Sequence, residues 1–138
     1  MTRSGYTDEC EETWDWVRWR GIVASSIRGK RGQKMLRDLL VALDAMPVKE
    51  LHSDVLVEED GSCCAIGALL KHREVPGVEQ GIDPYVGNDW IAEELDVAEP
   101  LVQEIEWMND EFCYGTPENR WGMMRAWIVK QLRETING

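Results

Sequence analysis

Phenylalanine occurs once in this 138-residue chain, histidine twice and proline five times. No apolar run approaches the ~20 residues that span a bilayer, and the opening MTRSGYTDECEE lacks the apolar stretch of a signal peptide, which predicts a cytoplasmic protein. Cysteine is present four times, as Cys10, Cys63, Cys64 and Cys113, but never as C-x-x-C. A vicinal pair with two distant partners makes a poor disulfide framework, so reduced thiols are expected. With only His52 and His72 beside them, no zinc cage is expected, and neither a metal nor another cofactor. No acid–base or nucleophile constellation stands out either. Cys63 and Cys64 at a helix start raise the idea of an activated thiolate, yet no base lies near them in sequence except His52 or His72. Buried small side chains are the simpler reading, and no catalytic residue is assigned.

The most informative absence is of positive charge. From Glu74 to Asn119 there are thirteen acids and no Lys or Arg, whereas Arg18 to Arg37 holds seven basic residues and no acid. The formal net charge of −11 disfavours nonspecific attraction to nucleic acid or anionic lipid. Direct nucleic-acid binding and membrane binding are therefore not expected. The two segments could attract each other within the fold, or between copies as a homodimer.

What is present reads as helix. The length suits one domain, and 43% hydrophobic with 30% charged residues is the balance of a folded protein. The expected organisation is a flexible polar N-terminus over 1–12 and a single helical domain over 13–138. Trp16, Trp19, Val23 and Ile27 are spaced by three and four, one apolar stripe on a first helix that Trp14 misses. Leu36, Leu39, Leu40, Leu43 and Met46 form a second stripe, closed by Pro47. Between the two lies GKRG, with Gly29 suited to a left-handed helix end and Gly32 to a second sharp turn. A phosphate loop would need a preceding strand and Ser or Thr after the Lys, so GKRG is read as a joint. Residues 53–64, with EEDG at the centre, suggest a short β-hairpin, and CAIGALLKH a short helix. EVPGVEQGIDPYVGN reads as a loop. Thr116-Pro117-Glu118 starts a last helix, with Thr as N-cap and Pro in the first position, burying Trp121, Met124, Ile128 and Leu132. The fold class is thus mainly α, a compact bundle of five or six helices with one short hairpin.

Residues Asp89 to Met108 hold the ambiguity. Ile91, Ala92, Leu95, Val97, Val102 and Ile105 fall where the helix-turn-helix motif of DNA-binding proteins places its core, with Asp96 where that motif usually has Gly. In the motif the second helix carries Arg, Lys, Gln or Asn into the major groove. Here Glu99, Gln103, Glu106 and Asp110 fall within about 60° of one another on a helical projection, opposite Leu101, Ile105, Met108 and Phe112, and Glu104 and Glu111 flank them. A phosphate backbone would repel such a helix. Two readings stay open for the face: a solvated helix surface, or a row of carboxylates imitating nucleic-acid phosphates for a partner with a basic groove. For the second, the expected partner-binding residues are Glu93, Glu94, Glu99, Gln103, Glu106, Trp107, Asp110 and Glu111. Trp107 is then an exposed interface anchor among the acids. An alternative is a helix-turn-helix-like regulator that contacts DNA phosphates, or a partner, through Arg28, Lys30, Arg31 and Lys34.

The segments IRGKRGQ, LLVALDAMPVKEL, CAIGA, EIEWMNDE and TPENRW resemble small acidic proteins encoded by tailed bacteriophages and prophages, over most of residues 20 to 128. The resemblance supplies a context and no residue roles. It implies a viral product in the host bacterial cytoplasm, where small acidic phage proteins often inhibit host nucleases or defence complexes and some mimic DNA. On that footing the expected function is an acidic protein–protein interaction module, an inhibitor of the anti-CRISPR or DNA-mimic type, facing a basic host protein or nucleoprotein complex.

Overall fold

Leu36, Leu39 and Leu43 are all fully buried, so the strongest apolar stripe in the sequence faces the core it was expected to face. The computed structural model describes residues 3–4 and 13–137. Among them are six α-helices: α1 (Thr13–Arg28), α2 (Lys30–Ala45), α3 (Ala65–His72), α4 (Asn88–Leu95), α5 (Glu99–Trp107) and α6 (Pro117–Asn137). A short 3-10 turn at Val78–Gln80 and a π-turn at Met108–Phe112 complete them. All six helices contribute to one continuous apolar cluster, from Val23 on α1 to Ile128 on α6. Each fully buried Leu or Ile in it contributes about 1.5–3 kcal/mol relative to exposure. The expected flexible arm over 1–12 lies mostly outside the described residues. Arg3 and Ser4 are the exception, and both are buried. No described helix is long and apolar enough to cross a membrane.

The corner between α1 and α2 is a joint, though neither glycine does what its position suggested. Gly29 is extended (φ −71°, ψ 163°) rather than left-handed. Gly32 lies inside α2, where an added Cβ would stand 1.8 Å from the backbone oxygen of Ser26. Its missing side chain therefore lets the two helix backbones touch, while Gln33 Nε2 donates to the Ile27 carbonyl at 2.7 Å and caps the end of α1. On α1 itself Val23 and Ile27 are buried and Trp19 is half-buried. The side chains of Trp14 and Trp16 lie outside the described residues.

The expected hairpin over 53–64 is not formed. Val57 makes single antiparallel bridges to Cys63 and to Ile82, with no ladder among the described residues. The EEDG turn exists, closed by Glu58 N to Ser62 O at 2.8 Å and by Gly61 at φ 93°. The chain on either side, however, leaves extended pairing to pack against α3. An added Cβ on Gly67 would lie 1.9 Å from the Leu56 oxygen, so that glycine admits the loop onto the helix. Cys64 caps α3, its sulfur accepting from Gly67 N at 3.4 Å.

Two short helices joined by a tight turn, α4 and α5, occupy the segment as expected. Asp96 takes the left-handed turn conformation (φ 55°, ψ 53°), a strained choice for a residue with a side chain but one that Asp tolerates. Val97 N then reaches Ala92 O at 3.1 Å. The motif's second helix, α5, is the centre of the molecule and packs against α1, α3 and α4. Residues Leu101 to Glu106 are all buried, which leaves no free face to enter a groove. The last helix begins as expected, with Asn119 N bonded to Thr116 Oγ1 at 3.1 Å. It buries Met124 and Ile128, and Trp121 Nε1 donates to Leu43 O at 3.2 Å, tying α6 to α2.

Candidate functional site

The acidic row of α5 is not a surface. Gln103, Glu104 and Glu106 are buried, Glu106 completely, and the Asp110 side chain is only 6% exposed. Arginines from the N-terminal part of the chain close over these carboxylates. Arg20 Nη1 on α1 donates to Glu104 Oε1 at 2.7 Å. Arg3 Nε and Nη2 donate to the two oxygens of Asp110 at 2.5 and 2.8 Å, and its Nη1 stands 3.5 Å from Glu106 Oε2. The charge separation read along the sequence is thus partly cancelled inside the fold. Trp107 is half-buried against the core and against Phe112, ring centroids 5.7 Å apart. The exposed aromatic is Phe112 instead, because the π-turn from Met108 ends the regular 100° progression on which the projection relied.

The partner-binding set therefore divides. Glu93, Glu94, Glu99 and Glu111 are exposed; Gln103, Glu106, Trp107 and Asp110 belong to the interior or its edge. A second group of exposed acids, which the helical projection left out, precedes the first in the chain. Glu74, Glu79 and Asp83 in the loop and Asp89 at the start of α4 all face solvent, with Tyr85 72% exposed between them. On α4 the solvent side carries Asp89, Glu93 and Glu94, opposite the buried Ile91, Ala92 and Leu95. Asp89 and Glu93 are like charges four apart on a helix, a repulsion of ~0.2–0.5 kcal/mol that the favourable place of Asp89 in the first turn offsets. The run of thirteen acids without a cation was the signal that could have found this surface.

The basic corner is exposed as expected. Arg28, Lys30, Arg31 and Lys34 all face solvent. Arg31 pairs with Asp96 at 3.2 Å and Lys34 with Asp38 at 3.1 Å, exposed pairs of the kind worth at most ~1 kcal/mol. Asp38 also accepts from Arg73 Nη2 at 2.8 Å. Its carboxyl is only lightly buried, which favours protonation, but the bonds from Lys34 and Arg73 outweigh that and hold it below its usual range.

The interior cluster around Arg3 is assembled from several elements. Asp110 also accepts from Asn109 Nδ2 (2.8 Å) and Asp54 N (3.0 Å). Asn109 is fixed in turn by Ala65 N on its side-chain oxygen and by the His52 carbonyl on its nitrogen, while Arg120 Nε donates to its backbone oxygen at 2.7 Å. Burial pushes Glu106 up to about 8, with the help of Asp110 and against the pull of the Arg3 charge and the Asn88 amide.

None of the three described cysteines is an activated thiolate. Cys63, Cys64 and Cys113 are free and buried. Burial, with Cys64 beside it, pushes the Cys63 thiol up to about 11, and burial likewise raises Cys64 despite Arg3 and the helix start. Cys113 is pushed up to about 11 in the same way. His52 and His72 do share a groove with Cys63, of about 450 Å³, but a thiol held protonated there is inert at neutral pH. Among the described residues no group of three or more His, Cys, Asp or Glu is arranged to hold a metal ion.

Comparison of the chain with protein-family models, with curated proteins and with solved structures finds no match in any of the three.

Proposed function

We propose that this protein is a binding module that docks a basic partner through exposed carboxylates of the loop and α4, with Asp89, Glu93, Glu94 and Glu99 at the centre. The reading is carried by one observation: a stretch of chain with several solvent-facing acids and no cation from Glu74 to Asn119. The expected acidic surface is thereby moved from α5 to α4 and the loop before it. Exposed Tyr85 adds an aromatic contact of the sort that anchors interfaces. A partner of this chemistry has a basic groove, as nucleases and nucleoprotein defence complexes do. An inhibitor that occupies such a groove competes with nucleic acid, in the manner of a DNA mimic or an anti-CRISPR protein. The phage context proposed from sequence makes a bacterial lysate the place to look.

The test is capture from that lysate at low salt with the wild-type chain and with Asp89→Lys, Glu93→Lys, Glu94→Lys and Glu99→Lys combined. The expected result is a basic partner that the wild type retains, that high salt releases and that the reversed chain loses. Retention of every partner by the reversed chain removes the reading.

Exposure of Arg28, Lys30, Arg31 and Lys34 at one corner favours one other function, phosphate binding by a regulator. Since α5 is buried, that reading rests on the corner alone. Mobility-shift assays at about 50 mM salt, where phosphate contacts are strongest, should retard DNA if it holds. Free DNA under those conditions ends it.

A further inference from the structure

The interior cluster at the junction of α5 and the π-turn has more acceptor capacity than its occupant uses. Arg3 meets Asp110 through two parallel N–H···O bonds, from Nε and Nη2. That geometry suits a planar guanidinium and cannot be reproduced by an ammonium group. Its main chain is held as well, the Arg3 carbonyl accepting from Asn88 Nδ2 at 3.1 Å. On the other wall the fit is incomplete. Glu106 is fully buried, and among the described residues its carboxyl oxygens meet the Asn88 amide but make no hydrogen bond of good geometry. Arg3 Nη1, which approaches to 3.5 Å, has none either. A buried polar group left in this state is costly, so the guanidinium satisfies the Asp110 carboxylate and leaves the Glu106 carboxyl, which burial keeps largely protonated at neutral pH, without a bond of its own.

The walls of the pocket and its occupant also differ in origin. Asp110 is locked by Asn109 and by the backbone of Asp54, and Asn109 by α3, by the loop at His52 and by α6. These contacts do not involve Arg3, so the Asp110 wall of the receptor is organised by the helical domain. The occupant arrives from residue 3, 107 positions away in sequence from Asp110.

From this we infer that Asp110, Glu106 and Asn88 form a receptor for an arginine side chain, which Arg3 fills as a resident ligand and for which an arginine on another polypeptide competes. The site is distinct from the exposed carboxylates of α4 and does not depend on the proposed docking there. Its ligand class is narrow: a monosubstituted guanidinium with an adjacent carbonyl, the first for Asp110 and Glu106, the second for Asn88.

The experiment uses the full chain carrying Arg3→Ala, with acetyl-arginine amide as the probe and acetyl-lysine amide as control. Thermal unfolding and isothermal calorimetry are followed for the wild type, Arg3→Ala and Arg3→Ala/Asp110→Asn. The arginine probe should raise the Tm of Arg3→Ala saturably at millimolar concentration, with at least tenfold weaker binding to the wild type. The lysine probe, and either probe on the double variant, should give no saturable shift. If Arg3→Ala is unfolded on its own, the arginine probe should restore its near-ultraviolet tryptophan signal and the lysine probe should not. Equal response to the two probes, equal affinity for wild type and Arg3→Ala, or no response of Arg3→Ala in either state overturns the inference.

Discussion

Arg20 on α1 and Glu104 on α5, 84 positions apart, meet at 2.7 Å with the carboxylate side chain only 5% exposed. The pair places positive charge from the N-terminal third of the chain inside its acidic later half. Removing the cation leaves a buried carboxylate short of a strong donor, which is the costly way to break a buried pair. Arg20 is itself 40% exposed, so solvent moderates the loss. Arg20→Met is expected to lower stability by about 1–3 kcal/mol in urea unfolding at pH 7, and Glu104→Gln in that background to recover part of it. No change in either variant would show that the contact has no energetic role.

Two glycines in helices should respond to alanine with opposite signs. At Gly32 the new methyl meets the Ser26 backbone at 1.8 Å, whereas at Gly122 nothing lies within 4 Å. Gly32→Ala is expected to cost about 1–3 kcal/mol through overpacking, or more if α1 must separate from α2. Gly122→Ala should stabilise by about 0.5–1 kcal/mol through helix propensity and reduced unfolded-state freedom. Thermal unfolding of the two variants side by side reads both signs.

Much of the α-helical plan was legible because its signals are local. The stripe on α2, Pro47 after it, and the Thr116-Pro117 start of α6 need only a few neighbouring residues to be read. The turn at Asp96 was placed by the same means, although Asp instead of Gly takes the left-handed conformation. The hairpin failed because Val57 divides its pairing between Cys63 and Ile82, and the second partner is too distant for a turn signal to reveal. The acidic face of α5 failed for a related reason. A polar stripe opposite an apolar one normally means solvent, but α5 is central, and what covers its polar side is Arg3 and Arg20. No periodicity within residues 99–111 encodes those partners.

The protonation of Glu106 gives stability a particular pH dependence. Its carboxyl sits at about 8 in the folded chain, raised by burial, against about 4.3 when unfolded. The folded state therefore binds the extra proton between these values, and stability falls as pH rises from about 5 to 8. Carboxyls held low in the fold, Asp38 and Asp44 among them, lose their contribution only as pH drops below about 4, outside that window. Glu106→Gln should flatten the decline between pH 5 and 8, seen as a Tm difference between the two pH values that shrinks relative to wild type. An unchanged difference would mean that Glu106 titrates normally.

Thiol chemistry offers a kinetic check on burial. With Cys63 and Cys113 pushed up to about 11 and Cys64 raised as well, none of the three should react with a thiol reagent at pH 7.5 while the protein is folded. In a Cys10→Ser variant, titration with a chromogenic disulfide should show no prompt reaction in buffer and three thiols in denaturant. Prompt modification of a thiol under native conditions would place that cysteine at the surface.

The claim on which the account turns is that N-terminal arginines, not solvent, satisfy the carboxylates of Glu104 and Asp110. A double-mutant cycle between Arg3 and Asp110 measures it most directly, with Arg3→Met, Asp110→Asn and the double variant compared by urea unfolding. The account predicts a coupling energy above about 1.5 kcal/mol, the lower end of values for close charge pairs. Strictly additive effects, with a coupling indistinguishable from zero, would contradict it.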